Sequence, residues 1–259
     1  MAVLALAVLF IAGLACSSAE EGKLTSIEEY PSLVQVENRA GLLWLQFCAG
    51  SVLTSYHILS TARCFSGPNY TDRNRRIRAG TSYRGSEGII REVSRTYLHP
   101  TFGLLANDGD ISVVRLETPM TLGSTIAQAP ILGEGIYLPY GLQLQLVGWG
   151  TTSEGGNRGD SNLYELDIYT VSNDDCLETY LGREDVVNNT ITENMICTGL
   201  LSTKGRDLDT RDEGAPLFFS GVTVGIVSFG VSNGEDSVPL VSTAISSYTN
   251  WIVETATLL

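Results

Sequence analysis

Ser51-Val-Leu-Thr-Ser-Tyr-His-Ile-Leu-Ser-Thr-Ala-Arg63-Cys64 is an apolar, strand-like run that ends on a cation and a cysteine. Runs of similar apolar and β-branched character recur at 32–37, 47–59, 111–116, 142–147, 163–171 and 216–230. Gly-, Asn- and Ser-rich stretches at 85–88 and 153–161 separate some of them, as loops between strands do. Many short strands, with no repeat, low-complexity tract or charge block, predict an all-β barrel or sandwich. The strongest helical signal is terminal, where Ile245, Tyr248, Ile252 and Thr255 roughly follow helical spacing.

A chain of 259 residues can bury a sizeable core as one domain or two. Residues 2–15 are uncharged and apolar and lead into Cys16-Ser17-Ser18-Ala19. That pattern predicts a signal peptide over 1–19 rather than a membrane anchor, being too short to span and lacking flanking charges. The mature chain, 20–259, is expected to be soluble and extracellular. Without Cys16 it keeps Cys48, Cys64, Cys176 and Cys197. Four cysteines in an exported chain predict two disulfides, and three pairings remain open. No Cys-x-x-Cys or Cys/His cluster exists to hold a metal, and no cofactor is expected.

The net charge of −13 argues against nucleic acid and anionic membrane as partners, since both select clustered Lys and Arg. It reads as a solubilising surface, or as an acidic face for a basic partner. Sequons at Asn69-Tyr-Thr71 and Asn188-Asn-Thr190 suit a glycoprotein. The chain has only two histidines. His57 lies inside a strand-like run and His99 in a Leu-His-Pro loop signal, so both are expected to be structural.

Further motifs stand in a fixed order: Cys48-Ala-Gly-Ser-Val-Leu, Gly148-Trp-Gly-Thr-Thr-Ser153, Asn194-Met-Ile-Cys-Thr-Gly199 and Val227-Ser-Phe-Gly230. With the 51–64 run, Asp110-Ile-Ser-Val-Val-Arg-Leu116 and Gly205-Arg-Asp-Leu-Asp-Thr-Arg-Asp-Glu-Gly-Ala-Pro-Leu217, they resemble the trypsin-like serine proteases, insect trypsins above all, over 22–256. The resemblance implies a chymotrypsin-like fold of two six-stranded antiparallel β-barrels, about 20–125 and 140–244, closed by a helix over 245–256. It pairs Cys48 with Cys64 and Cys176 with Cys197. The bridge that braces the family's substrate pocket is missing, with Asp209 at one of its positions.

The same resemblance sets Asp110 at the triad aspartate, Arg63 in the histidine slot and Glu213 in the serine slot. A serine attacks only when a neutral base takes its proton. Arginine stays protonated and cannot; a carboxylate is a poor nucleophile toward peptides. Arg211 stands at the oxyanion-hole glycine two residues before Glu213, where a Cβ mis-aims the N–H pair. Asp207 matches the acid at a trypsin-like pocket floor and Ser228 and Gly230 its wall, but Leu240 replaces a wall glycine and is expected to narrow or fill the space. Asp212 matches the carboxylate that pairs with a freed N-terminus, although no Lys or Arg precedes the Ala19-Glu-Glu-Gly22 stretch that would start the chain. Arg211 and Arg206 are its other expected partners.

These substitutions predict a chain without protease activity: a monomeric, secreted homologue that binds a protein. The roles left open are inhibitor decoy, protease cofactor and substrate competitor. The alternatives are a secreted storage protein, a weak endopeptidase, or a hydrolase using Asp110 and Glu213 as acid and base. Arg63 between those two acids would keep both ionised. The sequence therefore predicts an ion-pair cluster in place of a catalytic one.

Overall fold

The computed structural model describes residues 22–150, 161–181, 190–199, 212–230 and 238–258. A short strand, β1 (Lys23–Leu24), leads into β2 (Leu33–Ala40), β3 (Leu43–Val52), β4 (His57–Ser60), β5 (Arg75–Ala79), β6 (Ile89–Leu98) and β7 (Ser112–Leu116). Strands β2 to β7 close as a barrel in the order β2-β3-β4-β7-β6-β5, every pair antiparallel. The second barrel is built from β8 (Gln143–Gly148), β9 (Tyr164–Val171), β10 (Met195–Gly199), β11 (Pro216–Phe219), β12 (Val222–Phe229) and β13 (Leu240–Ala244). It runs β9-β10-β13-β12-β11-β8, and β8 returns to β9 to close it, while β1 is added to the start of β9. Closure pairs every wall strand on both sides and leaves no long open edge. Helix α1 (Asn173–Leu181) and helix α2 (Thr249–Leu258) complete the chain.

Two of the expected strand runs are in fact hairpins. The 47–59 run turns between β3 and β4, and the 216–230 run turns at Ser220 and Gly221, which hold φ of 50° and 79°. The twelve wall strands that the resemblance implies are present; β5, β6, β10 and β13 fall outside the apolar runs, and helix α1 is an addition to the expected elements. The terminal helix starts later than expected, because Ile245–Ser247 form a separate 3-10 turn. Disulfides join Cys48 to Cys64 and Cys176 to Cys197. The first ties β3 to the turn after β4; the second ties α1 to β10.

Each barrel has its own core. Val34, Val36, Val52, Ile58, Ile77, Val114 and Leu116 fill the first, and Leu144, Leu146, Leu166, Ile168, Leu217 and Val224 the second. A third cluster joins the two: Leu59 and Val113 from the first barrel meet Ile226 from the second and Ile245, Tyr248 and Ile252 at the end of the chain. Polar bonds reinforce the seam. Asp108 accepts from Thr192 Oγ1 at 2.6 Å and Asn194 Nδ2 at 3.1 Å, and Thr243 Oγ1 donates to the carbonyl of Asp110 at 2.9 Å. The loop 107–110 is therefore held from both barrels.

Strand β5 shows why an Arg-Arg-Ile-Arg-Ala run becomes a barrel strand. Glu37 of β2 is fully buried, and its carboxylate accepts from Arg76 Nε at 2.5 Å and Arg78 Nε at 2.6 Å. The pairing fixes the β2–β5 register, Glu37 opposite Arg76. Removing one partner of a buried ion pair leaves the other uncompensated. Glu37→Ala is expected to lower unfolding stability by about 3–5 kcal/mol, read as a fall in the urea midpoint.

Candidate functional site

Three short connections bring the site together at the seam between the barrels. Arg63 opens the 3-10 turn that follows β4, Asp110 lies two residues before β7, and Glu213 lies three residues before β11. Asp110 has no exposed side-chain surface. Its carboxylate accepts from the Arg63 backbone N–H at 2.9 Å, from Arg63 Nε at 2.9 Å and from Ser228 Oγ at 2.6 Å. Arg63 Nη2 donates to Asn107 Oδ1 at 2.8 Å, and its Nη1 stands 3.7 Å from Glu213 Oε1. The guanidinium also lies 5.8 Å from the ring centre of Phe229. Arg63 thus bonds one acid directly and holds the second at ion-pair distance.

Glu213 is held by its backbone as well, since its carbonyl accepts from the Ala49 N–H at 2.8 Å. Its carboxylate lies within 4.8 Å of the sulfurs of Cys48 and Cys64. Those sulfurs are joined to each other, so they offer no thiolate and the trio is not a metal-ligand set. Gly214, next in the chain, holds φ +83° and donates its N–H to Val227 at 2.8 Å.

The two histidines are engaged elsewhere. His57 Nδ1 lies 2.9 Å from Thr54 Oγ1, and His99 packs edge-on to Tyr248 and Trp251 while contacting Thr101 Oγ1 at 2.8 Å. Neither makes a hydrogen bond to Arg63, Asp110 or Glu213.

Ser228, expected at the pocket, turns its hydroxyl to Asp110, and Gly230 directly follows β12. Leu240 opens β13 half-buried and packs against the core of the second barrel. Asp212 is buried, 4% exposed, with its carboxylate against the backbone of Gly148 and Gly150. Asn69 is exposed on the first barrel. Asp207, Arg211, Asn188, Arg206, Asp209 and residues 1–19 lie outside the described residues. Sequence reasoning missed Asn107 and Phe229 as partners of Arg63: Asn107 stands in no motif, the Val227–Gly230 motif assigns Phe229 no cation, and only the fold brings them to the guanidinium.

The model of the trypsin family matches residues 20–252. The chain belongs to the trypsin family. It is 34% identical over 233 residues to Trypsin CFT-1 of Choristoneura fumiferana, covering 89% of this chain and 88% of that one. Trypsin, alkaline A, of Manduca sexta is 30% identical over 233 residues, with the same two coverages of 89% and 88%. Among solved structures, the scabies mite inactivated protease paralogue S-D1 superposes with a TM-score of 0.78 at 22% identity, covering 91% of this chain and 96% of that one. That likeness establishes the chymotrypsin-like fold.

In this trypsin-family chain the site is electrostatically uneven. Burial pushes the Asp110 carboxyl upward, against the pull of the Arg63 guanidinium, the Ser228 hydroxyl and the Arg63 N–H. Burial likewise pushes Glu213 up from 4.5 to about 7; Arg63 opposes the shift and Asp110 adds to it. A carboxyl raised in the folded state favours folding while it is protonated. Its contribution is fully present below about pH 4.5 and is lost as pH rises through about 7. Glu213→Gln, neutral throughout, should flatten stability between those limits and be more stable than the native chain above pH 7, by roughly 2–3 kcal/mol. Chemical unfolding across that range, native against variant, measures it.

A second expectation concerns Arg63. Arg63→Ala leaves the buried Asp110 with Ser228 and one backbone N–H, and should cost about 3 kcal/mol. Arg63→Lys keeps the charge but loses the fork that reaches Asp110, Asn107 and Glu213 together, so it should fall between. Thermal and urea unfolding of the pair checks both the loss and its order.

Proposed function

We propose that this chain is a secreted, non-catalytic member of the trypsin family that works by binding another protein. The observation that carries the reading is the guanidinium of Arg63, bonded to Asp110 at 2.9 Å where acyl transfer needs a neutral base. Glu213, the candidate in place of the nucleophile, is an acid at ion-pair distance from that cation. A proton cannot leave a nucleophile toward arginine, because arginine does not give up its own. An acid/base mechanism on the two carboxyls is opposed by Asp110, which is fully enclosed with both oxygens already taken by Arg63 and Ser228; the expectation that Arg63 keeps both acids ionised does not hold for Glu213, which burial raises to about 7.

Export is supported by the two disulfides, which persist in oxidising compartments, and by the apolar leader over 2–15. No helix among the described residues is long and apolar enough to cross a membrane. The relatives similar to this chain are named trypsins; this chain differs from an active trypsin at the site and not in the fold.

The processed protein should hydrolyse neither Lys nor Arg ester substrates and should take no label from a fluorophosphonate probe. Label mapped to any serine of the chain would overturn the reading. The double variant Arg63→His, Glu213→Ser should also stay at background, because Arg211 and Leu240 still differ from the family's glycines. Rates near those of an active trypsin from that variant would show that Arg63 and Glu213 alone hold the site inactive.

A further inference from the structure

We propose that His57, Arg115 and Arg95 form a binding site for one tetrahedral oxyanion, sulfate or phosphate, taken as the free ion or as the terminal group of an ester. The site stands on the outer face of the first barrel and is independent of the reading of Arg63 and Glu213.

Sheet register brings the three residues together. His57 of β4 is the direct partner of Arg115 in β7, and Arg115 is the direct partner of Arg95 in β6. Cross-strand partners project to the same face, so the three form one row across three strands. That face is the outer one. Ile58 and Val114, the chain neighbours of His57 and Arg115, lie in the first barrel's core. Leu59 and Val113, each two residues from the row, instead join the cluster shared with α2.

The hydrogen bonds around His57 decide which ring nitrogen carries the proton. Thr54 Oγ1 accepts from the backbone N–H of Tyr56 and of His57, both at 3.1 Å. Its lone pairs are thereby taken up, so its own hydrogen goes to His57 Nδ1, 2.9 Å away. Burial and then the Arg115 charge hold the imidazole below its ordinary pKa, so the ring is neutral at physiological pH. With Nδ1 an acceptor, Nε2 of the neutral ring is a donor. That N–H is buried without a partner among the described residues, in a residue only 7% exposed. A buried donor left unmet costs free energy that an acceptor recovers.

The two arginines lack acceptors as well. Among the described residues Arg115 makes no hydrogen bond or ion pair, and Arg95 only lies over the ring of Tyr97, 5.5 Å from its centre. Tyr97 pairs with Val113, so its ring keeps that guanidinium on the same face. Like charges directly opposite each other in a sheet repel, and an anion between them turns the repulsion into attraction. Glu92 and Glu117, on the same two strands or just beyond, make no ion pair with either arginine.

Three donors without an acceptor select a group that only accepts. A carboxylate offers two oxygens, whereas a sulfate or phosphate group keeps at least three free ones even as a monoester. The imidazole is enclosed, so the ligand is a compact group that reaches it past Arg115; a nucleic-acid strand or a membrane surface does not fit. The acidity of the chain lies elsewhere: residues 1–115 hold 11 Lys or Arg and 10 Asp or Glu, and residues 116–259 hold 5 and 19.

The chain has two histidines, so magnetic resonance of isotope-labelled ring nitrogens reads His57 with His99 as internal control. Sodium sulfate, sodium phosphate and a sulfated monosaccharide are titrated separately, at constant ionic strength set with sodium chloride. Sulfate should move the His57 signals saturably and leave His99 in place. Arg115→Gln and Arg95→Gln should each weaken that binding by at least about tenfold, the scale of one charge-assisted hydrogen bond. Acetate should bind at least about tenfold more weakly than sulfate. Arg95 is exposed, so its replacement keeps the test decisive even where Arg115→Gln fails to fold. Tighter binding of the monosaccharide than of the free ions would support the site as one for an ester, and the reverse as one for a free ion. Four results would overturn the assignment: no movement of His57 with any of the three ligands, equal movement with chloride, binding unchanged by Arg95→Gln, or acetate binding as tightly as sulfate.

Discussion

The buried carboxylate of Asp110 is the interaction on which the seam between the barrels depends. It is fully enclosed, yet it gathers donors from two directions: the Arg63 N–H and Nε from the turn after β4, and the Ser228 hydroxyl from β12. Its own carbonyl accepts from Thr243 of β13. One residue thus links four stretches of chain across both barrels. Enclosing a carboxylate is costly unless its lone pairs are met, and here each oxygen has at least one donor. The third apolar cluster, from Leu59 to Ile252, lies along the same seam. Its packing excludes water from the region in which those polar bonds operate, which strengthens them.

Arg63 fits that seam because it can serve several acceptors at once. Its backbone and Nε satisfy Asp110, its Nη2 reaches Asn107, and Nη1 faces Glu213. An ammonium would have to choose among these directions, since it is a point charge without a planar fork. The arrangement also explains why the two acids differ. Asp110 has direct bonds to the cation, whereas Glu213 is enclosed at 3.7 Å from it. Burial acts on both, but only Asp110 receives a full set of donors in return. Glu213 is therefore the group whose protonation changes near neutral pH, in the direction that makes the folded state less favoured as it ionises.

Much of this fold was legible because the short apolar and β-branched runs of 32–37, 111–116, 142–147 and 163–171 are separated as barrel strands are, and the ordered motifs gave the rest of the resemblance. The strands that escaped notice have physical reasons. In β5 the arginines at 76 and 78 answer a glutamate 39 or 41 residues earlier, a pairing with no local signature. Helix α1 has a thin apolar face, burying Cys176 and Tyr180, so its period is weak; it is held by the disulfide to β10 and by Tyr180 Oη donating to the carbonyl of Pro239 at 2.8 Å. At the site, the convergence of Arg63, Asp110 and Glu213 followed from the motifs, whereas Asn107 and Phe229 did not. A contact made only by tertiary folding leaves no trace in spacing.

The turn that carries Glu213 shows why chemistry and packing can be changed separately in this fold. Gly214 holds φ +83°, and a Cβ there would fall 2.2 Å from the carbonyl of Ala49 and 2.5 Å from Ser60 Oγ. A Cβ on Gly150 would fall 1.8 Å from Asp212 Oδ2, and one on Gly148 2.6 Å from Oδ1. Gly214 is required by the backbone itself, and Gly148 and Gly150 by the buried carboxylate of Asp212 that lies against them. Position 215 is different: the methyl of Ala215 is fully buried within the second barrel's core, where it adds contact instead of collision. Position 213 is freer still, because its backbone is fixed through Ala49 while its side chain points toward Arg63 with 18% of its surface open. The turn therefore demands Gly214 but puts no such backbone constraint on the side chains at 213 and 215, so the barrel architecture does not depend on which side chain stands beside Arg63.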